Sequence, residues 1–179
     1  MKLIILDQTG VINQSSDAFI KTPEEWIPIP GSLDAIARLT HSGYRVVIAA
    51  NQSGIGRGLL DMATYNAIND KMYKAVNQAG GRIDAIFFCP HTSADKCSCR
   101  KPETGLLDEI MQRYGVNLKN APAVGDSLKD LQAAAAVGAI PMLVLTGNGQ
   151  TTRTAKEIPA DTQIFENLAA VADALAGEE

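Results

Sequence analysis

The sequence predicts an α/β fold in which helices cover both faces of a mostly parallel sheet. Short apolar runs alternate along the chain with longer segments of helical periodicity, which is the pattern of repeated strand–helix units. Glycines stand at the ends of several helical segments, where a left-handed residue is favoured. Polar residues follow several apolar runs directly, as expected at the carboxyl ends of parallel strands.

Six strands are predicted from the apolar runs. Leu3-Ile4-Ile5-Leu6 is too short for a helix and is read as a buried strand. Strands that alternate with helices need right-handed crossovers, so the sheet is Rossmann-like and forms the middle of a three-layer sandwich. The predicted strands cover residues 3–6, 45–50, 83–89, 121–125, 139–145 and 163–165.

Five helices are predicted between and after these strands. The first begins at Gly31-Ser32 and places Leu33, Ile36 and Leu39 on one face. The predicted helices cover residues 31–40, 62–79, 105–114, 127–137 and 168–175. Four segments are expected to be loops: 11–30, the glycine-rich turn 54–58, 90–103 and 147–159.

Composition limits the class of protein. A chain of 179 residues is expected to form a single domain spanning 1–179, and no insertion is long enough for a large cap domain. The net charge of −4, without a basic block, argues against nucleic acid as a partner. No apolar run is long enough to span a bilayer, and the first apolar run is too short for a signal peptide. We therefore expect a cytoplasmic monomer that does not bind membranes.

Four separated segments are expected to meet at the carboxyl edge of the sheet. They are Asp7-Gln8-Thr9-Gly10, Ala50-Asn51-Gln52-Ser53-Gly54, Arg100-Lys101-Pro102 and Gly125-Asp126-Ser127-Leu128-Lys129-Asp130. Carboxylates that bind Mg²⁺, together with a lysine, make a site for a phosphate group. A single Asp of this kind is more often a turn or capping residue, but two at equivalent strand ends favour a site.

The cysteines are clustered rather than scattered. Cys89, His91, Cys97 and Cys99 lie within eleven residues of a polar loop and include all three cysteines of the chain. Three thiolates and an imidazole suit a closed tetrahedral Zn²⁺ site, although the spacings are tighter than those of a common zinc finger. We expect a structural zinc-binding loop at 89–99 rather than a disulfide framework.

Taken together, these motifs resemble the haloacid dehalogenase superfamily of phosphatases. The matching patterns are D-x-x-G after the first strand, N-Q-S-G after the second, C-R-K-P before a helix and G-D-S-L-x-D after the fourth strand. Within that superfamily the chain is similar to the D-glycero-D-manno-heptose 1,7-bisphosphate phosphatases of the histidinol-phosphate phosphatase subfamily. The resemblance runs from Leu3 to about Gly149.

The resemblance implies Mg²⁺-dependent hydrolysis of a sugar phosphate through an aspartyl-phosphate. The implied sugar is a heptose bisphosphate used for the bacterial envelope lipopolysaccharide, and histidinol phosphate is the alternative substrate. Asp7 would be the nucleophile, and Asp7, Asp126 and the carbonyl of Thr9 would bind Mg²⁺. Lys101 would stabilise the phosphoryl group and Asp130 would support the metal site or Lys101. Substrate contacts are expected from Asn51, Gln52, Ser53, Gly54, Arg57, Arg100 and Lys101, and the zinc loop would brace Arg100 and Lys101.

Two residues depart from the family motifs. Thr9 stands where the family has a second Asp that acts as general acid and base, a loss that typically costs about 10²–10⁴ in rate. Ala50 stands where the family has a Thr or Ser hydroxyl on the phosphoryl group. The chain is therefore a natural variant with slow or specialised chemistry, an engineered or impaired variant, or a protein that binds phosphorylated ligands with little turnover. By analogy with ion-pumping ATPases, which carry D-K-T-G, a phosphotransferase with a long-lived aspartyl-phosphate is a further alternative.

Overall fold

The computed structural model describes residues 1–177 and shows one six-stranded sheet. Every strand pairing within this range is parallel, and the strand order is β3-β2-β1-β4-β5-β6. The strands are β1 (Lys2–Leu6), β2 (Tyr44–Asn51), β3 (Ile83–Cys89), β4 (Pro122–Gly125), β5 (Ile140–Val144) and β6 (Gln163–Phe165). The predicted α/β fold is confirmed, and each predicted strand is present to within a residue or two.

Two apolar clusters lie on the two faces of the sheet, where the helices pack against it. The sheet is therefore the middle layer of a three-layer sandwich. Alternate residues of β1 point to opposite faces, with Ile4 and Leu6 in one cluster and Leu3 and Ile5 in the other. The helices are α1 (Ser32–His41), α2 (Ser53–Gly56), α3 (Met62–Gln78), α4 (Gly105–Tyr114), α5 (Leu128–Ala136), α6 (Gly149–Thr152) and α7 (Leu168–Ala176). The first cluster also contains residues of α1, α3 and α7, and the second contains residues of α4 and α5.

Two short helices occupy segments that were expected to be loops. Helix α2 forms within the glycine-rich turn after β2, and α6 forms in the polar segment after β5. Each is a single turn of four residues, too short to show a hydrophobic period, so the sequence pattern could not reveal either one.

The irregular segment between β1 and α1 folds back on itself and closes one side of the carboxyl edge. The backbone N–H of Gln14 donates to Ile27 O at 2.8 Å, and that of Ile29 donates to Ile12 O at 2.9 Å. Trp26 is almost fully buried, and Lys71 donates to its carbonyl oxygen at 2.8 Å. This burial indicates that the Trp26 side chain packs the segment.

The strand order places a crevice above β1. The chain runs outward from β1 through β2 to β3, and then returns to β4 on the other side before continuing to β5 and β6. Connections on the two sides of β1 therefore diverge, and ligands bind in such a crevice at the carboxyl ends of the strands. Within residues 1–177, no helix combines the length and apolar character that crossing a membrane requires.

Candidate active site

Three carboxylates meet at the carboxyl ends of β1 and β4. Asp7 follows β1, and its backbone N–H donates to Val124 O at 2.9 Å, which ties the two strand ends together. Asp126 follows β4, and Asp130 lies in the first turn of α5. One oxygen from each of the three carboxylates lies within 4.8 Å of the others. Oxygen donors at this spacing fit Mg²⁺, which takes carboxylates and keeps several waters.

A buried lysine partly neutralises this cluster. Lys101 is 4% exposed, and its Nζ lies 2.6 Å from Asp130 Oδ1 and 3.4 Å from Asp7 Oδ1. It also donates to Ala49 O at 2.7 Å, so the ammonium group faces three acceptors. Three carboxylates and one ammonium, all ionised, would carry a net charge of −2, which a divalent cation balances.

Two of the three carboxyl groups have raised pKa values, which means that the site disfavours their charged forms. Burial raises the pKa of Asp7 well above its usual value, and repulsion from Asp130 raises it further, although Lys101 acts in the opposite direction. Burial and Asp130 likewise raise the pKa of Asp126 to about 6. For Lys101, burial lowers the pKa, but the attraction of Asp130 and Asp7 outweighs it and the net pKa is raised. A cation bound among the carboxylates would relieve this repulsion, and its binding would therefore be favourable.

Two glycines allow the backbone to approach Asp126 closely. Gly10 has φ +88° and Gly147 has φ +57°, and a Cβ on either residue would overlap with Asp126 Oδ2. The N–H of Asn148 donates to that same oxygen at 2.9 Å, and Thr146 Oγ1 donates to Gly10 O at 2.7 Å. The turn after β5 therefore belongs to the site. Sequence analysis missed this turn, although Gly147 two residues past an apolar run was an available signal.

A cavity of about 390 Å³ opens over Asp7 and Asp126. One part of its wall is polar, with Asn13, Ser15, Ser16, Gln52 and Ser53 beside the carboxylates. Another part is largely apolar. The residues there are Phe19, Ile20, Trp26, Tyr65 and Ile68, while Gln8, Thr9, Asn51, Ser127, Leu128, Lys129 and Asn148 complete the lining. Trp26 therefore contributes to the cavity wall as well as to packing.

A buried hydrogen-bond network beneath the cavity holds Gln52 in place. Gln8 donates to Asn69 Oδ1 at 2.8 Å. Its own Oε1 accepts bonds from Tyr65 Oη at 3.0 Å and from Gln52 Nε2 at 3.1 Å. Sequence analysis placed Gln52 at the site but gave no role to the three residues that position it. They lie in the middle of the first motif and on α3, where nothing in the sequence pattern marks a polar network.

Asn51 and Lys101 are joined more directly than expected. The Lys101 N–H donates to Asn51 Oδ1 at 2.9 Å, and Asn51 Nδ2 donates to Lys101 O at 3.1 Å. This two-way contact holds the backbone of Lys101 in place. Asn51 also lines the cavity, and its expected contact with the substrate stays a prediction.

Of the other residues expected at the site, some line the cavity and others do not. Thr9 and Ser53 line the cavity, and the Thr9 hydroxyl accepts a long hydrogen bond of 3.4 Å from Asn13 Nδ2. Gly54, Arg57 and Arg100 do not line it. The guanidinium of Arg57 stacks on the Phe19 ring at 5.6 Å, and Arg100 donates to His91 O at 3.4 Å.

The cysteine loop brings its four polar side chains together. Ligand atoms of Cys89, His91, Cys97 and Cys99 lie within 4.8 Å of one another. Cys97 Sγ is 3.6 Å from Cys89 Sγ and 3.7 Å from Cys99 Sγ, close to the separation of about 3.8 Å that a tetrahedral Zn²⁺ with bonds of about 2.3 Å requires. The third sulfur pair lies at 2.6 Å and would have to open by about 1 Å around an ion. The donor set and its clustering fit zinc.

Comparisons with known proteins agree with this geometry. A model of the HAD-hydrolase-like family matches residues 98–171. A D-glycero-β-D-manno-heptose-1,7-bisphosphate 7-phosphatase from Bordetella bronchiseptica is 58% identical over 178 residues, with 99% of each chain covered. An enzyme of the same name from Neisseria meningitidis is 51% identical, with 94% of this chain and 91% of the relative covered.

A solved structure is similar over the whole chain. The D,D-heptose 1,7-bisphosphate phosphatase from B. bronchiseptica, crystallised with magnesium and phosphate, superposes with a TM-score of 0.98. Its sequence is 58% identical, and the match covers 100% of both chains. The chain therefore belongs to the family of D-glycero-D-manno-heptose 1,7-bisphosphate 7-phosphatases, within the haloacid dehalogenase superfamily.

Proposed function

We propose that this protein is a Mg²⁺-dependent phosphatase that removes the 7-phosphate of D-glycero-D-manno-heptose 1,7-bisphosphate. The observation that carries the proposal is the cluster of Asp7, Asp126 and Lys101 beneath an open cavity. Family membership supplies the substrate, because the relatives named above are phosphatases for this sugar. The cavity of about 390 Å³ lies in the ordinary range for small-molecule sites.

The chemistry follows from the positions of the charged groups. A carboxylate oxygen of Asp7 attacks phosphorus, and the bond from phosphorus to the sugar oxygen breaks, leaving an aspartyl-phosphate that water then hydrolyses. Lys101 Nζ, 3.4 Å from Asp7, counters charge on the phosphoryl oxygens. Asp7, Asp126 and the Thr9 carbonyl would hold Mg²⁺, which supplies further neutralisation of the phosphate. Asp130 fixes Lys101, and Gln52 and Ser53 contact the sugar.

A phosphate-release assay tests the proposal. With heptose 1,7-bisphosphate and Mg²⁺, we expect release of one phosphate per sugar and loss of release when Mg²⁺ is chelated. Asp7→Asn should remove activity, because an amide is not a nucleophile at phosphorus. Histidinol phosphate is the comparison substrate and should be poorer. A protein that binds the bisphosphate tightly yet releases none would instead be a phosphate-binding protein, and the proposal would be wrong.

We also propose that Cys89, His91, Cys97 and Cys99 bind a structural Zn²⁺. Burial acts to raise the pKa of the Cys97 thiol, but hydrogen bonds outweigh it and lower the pKa to about 6. The partners in these bonds are the Arg100 backbone N–H and the side chains of Cys89, His91 and Cys99. A thiolate is the form that binds metal. Arg100 also contacts His91 O at 3.4 Å, so the loop is directly attached to the segment that carries Lys101. Zinc would therefore brace the catalytic lysine.

Removing zinc should loosen the Lys101 segment. With a strong chelator or with Cys97→Ser, we expect a lower melting temperature and weaker binding of inorganic phosphate, measured by thermal denaturation and titration calorimetry. A matched change at an exposed residue of the same loop that is not a ligand, Ser93→Ala, should alter neither quantity. Unchanged phosphate affinity in a protein shown by metal analysis to have lost its zinc would contradict the bracing role.

The cellular setting remains as the sequence predicts it. We propose that the protein acts in the cytoplasm as a monomer, on a small sugar phosphate, without nucleic acid or membrane as a partner. Sedimentation at working concentration tests the oligomeric state.

A further inference from the structure

Within residues 1–177, the cavity contains no side chain placed to accept a proton from an attacking water. Among the described residues that line it, four carry titratable groups: Asp7, Asp126, Tyr65 and Lys129. Asp7 is the proposed nucleophile and Asp126 the proposed metal ligand. The remaining two must therefore be weighed as acid and base.

Neither of the remaining two can serve. Tyr65 is buried, burial raises the pKa of its hydroxyl, and its proton is donated to Gln8 Oε1 at 3.0 Å. Lys129 is exposed, and an ammonium has no acceptor. Just behind the lining, Asp130 is also engaged, with Lys101 and with the N–H groups of Asp126 and Ser127.

Thr9 occupies the position beside the nucleophile where a proton acceptor would be useful. Its hydroxyl accepts from Asn13 Nδ2 at 3.4 Å and can donate one hydrogen bond to a bound oxygen. A threonine hydroxyl can orient a water or a leaving group, but it does not take up a proton at neutral pH. The site is thus complete for forming an aspartyl-phosphate from a donor whose leaving group is acidic and needs no proton, and it is incomplete for removing the phosphoryl group.

We propose that, with a donor whose leaving group is acidic, the phosphoryl group stays on Asp7, so that the phosphorylated chain is the main form of the protein during turnover. This inference rests on the proposed function. In the first step the Asp7 oxygen bonds to phosphorus, and the bond to the leaving oxygen breaks with its electron pair. An acidic leaving group departs without a proton. In the second step a water oxygen bonds to phosphorus, the bond from phosphorus to Asp7 breaks with its electron pair on the carboxylate, and one proton of the water passes to solvent.

The two steps are therefore unequally affected. General base catalysis contributes about 10²–10⁴ in rate, so the second step should be slower by roughly this factor. An alcohol acceptor must also lose a proton when it attacks, so the structure does not favour phosphotransfer to an alcohol over hydrolysis. The expected outcome is a persistent phosphoaspartate with either acceptor.

The test uses p-nitrophenyl phosphate and acetyl phosphate with Mg²⁺, because both have acidic leaving groups. We expect a burst approaching one p-nitrophenolate per chain, followed by a phosphate release at least about 10² slower. After acid quenching, intact mass should increase by one phosphoryl group, and Asp7→Asn should show no increase. Both donors should give the same steady-state rate, because dephosphorylation is shared.

The outcomes separate this inference from the proposed function. Steady phosphate release without a burst, at rates that follow the leaving group, would overturn the inference and leave the phosphatase function standing. Absence of both a mass increase and phosphate release, with these donors and with the heptose bisphosphate, would overturn both.

Discussion

Thr9→Asp should raise the steady-state rate of phosphate release by about 10²–10⁴, because it places a carboxylate where the wild-type chain has only a hydroxyl. The new group would lie beside Asn13, whose Nδ2 already points at the Thr9 oxygen at 3.4 Å and could donate to a carboxylate. The side chain lines the open cavity, so the slightly larger group meets free space. The measurement is phosphate release under saturating Mg²⁺, together with the fraction of phosphorylated protein, which should fall.

Thr9→Asn is the matched control for this variant. Asparagine has nearly the same size and shape as aspartate but does not accept a proton. If Thr9→Asp accelerates release and Thr9→Asn does not, proton transfer is what the wild-type site lacks. Equal rates in both variants and in wild type would mean that another step limits turnover, with the loss of a hydroxyl at Ala50 as the next residue to test.

The sequence predicted the frame of the protein well because strands and long helices each bury many apolar residues in a regular pattern. Six strands and five helices follow that pattern, and strand topology then brings Asp7 and Asp126 together at the sheet edge without any further information. These are consequences of periodicity and connectivity, which are local in the sequence.

The missing parts of the site depend on contacts between distant residues. Gln8, Tyr65 and Asn69 form a buried network across 61 positions of sequence, and none of the three stands out within its own segment. Asn51 was expected at the site, but its partner, the Lys101 backbone 50 residues away, could not be predicted from the sequence. Hydrogen-bond partners of buried polar groups are decided by tertiary packing, so a residue's type can suggest a site while its task stays undetermined.

Lys101→Met should lower kcat/KM by about 10²–10³, the usual cost of removing one charged or hydrogen-bonding group from a phosphoryl or oxyanion site. Methionine has a similar length, so the change removes the ammonium while largely keeping the volume. Lys101 is 4% exposed and contacts Asp7, Asp130 and Ala49 O, all of which lose a donor. Kinetics with heptose 1,7-bisphosphate would measure the loss, and Lys74→Met, on the exposed face of α3, is the control.

The same variant should also be less stable without metal. Removing one partner of a buried ion pair leaves the other charges uncompensated, at a typical cost of about 3–5 kcal/mol in the free energy of unfolding. Chemical denaturation in the presence of a chelator measures this cost. Adding Mg²⁺ should recover part of it, since the cation replaces the missing positive charge.

The stability loss of Lys101→Met should depend on pH in a defined direction. In the wild-type protein the pKa of Asp7 is raised by burial and by Asp130, and that of Asp126 is raised to about 6, while Lys101 pulls both down. A carboxyl whose folded pKa exceeds its unfolded value costs stability as pH rises through the folded pKa, because the folded state holds the proton longer.

Without Lys101 these folded pKa values rise further. The difference in unfolding free energy between wild type and Lys101→Met should therefore be smaller near about pH 5 than near about pH 7.5. An equal difference at both pH values would show that packing of the lysine stem, rather than its charge, stabilises the site.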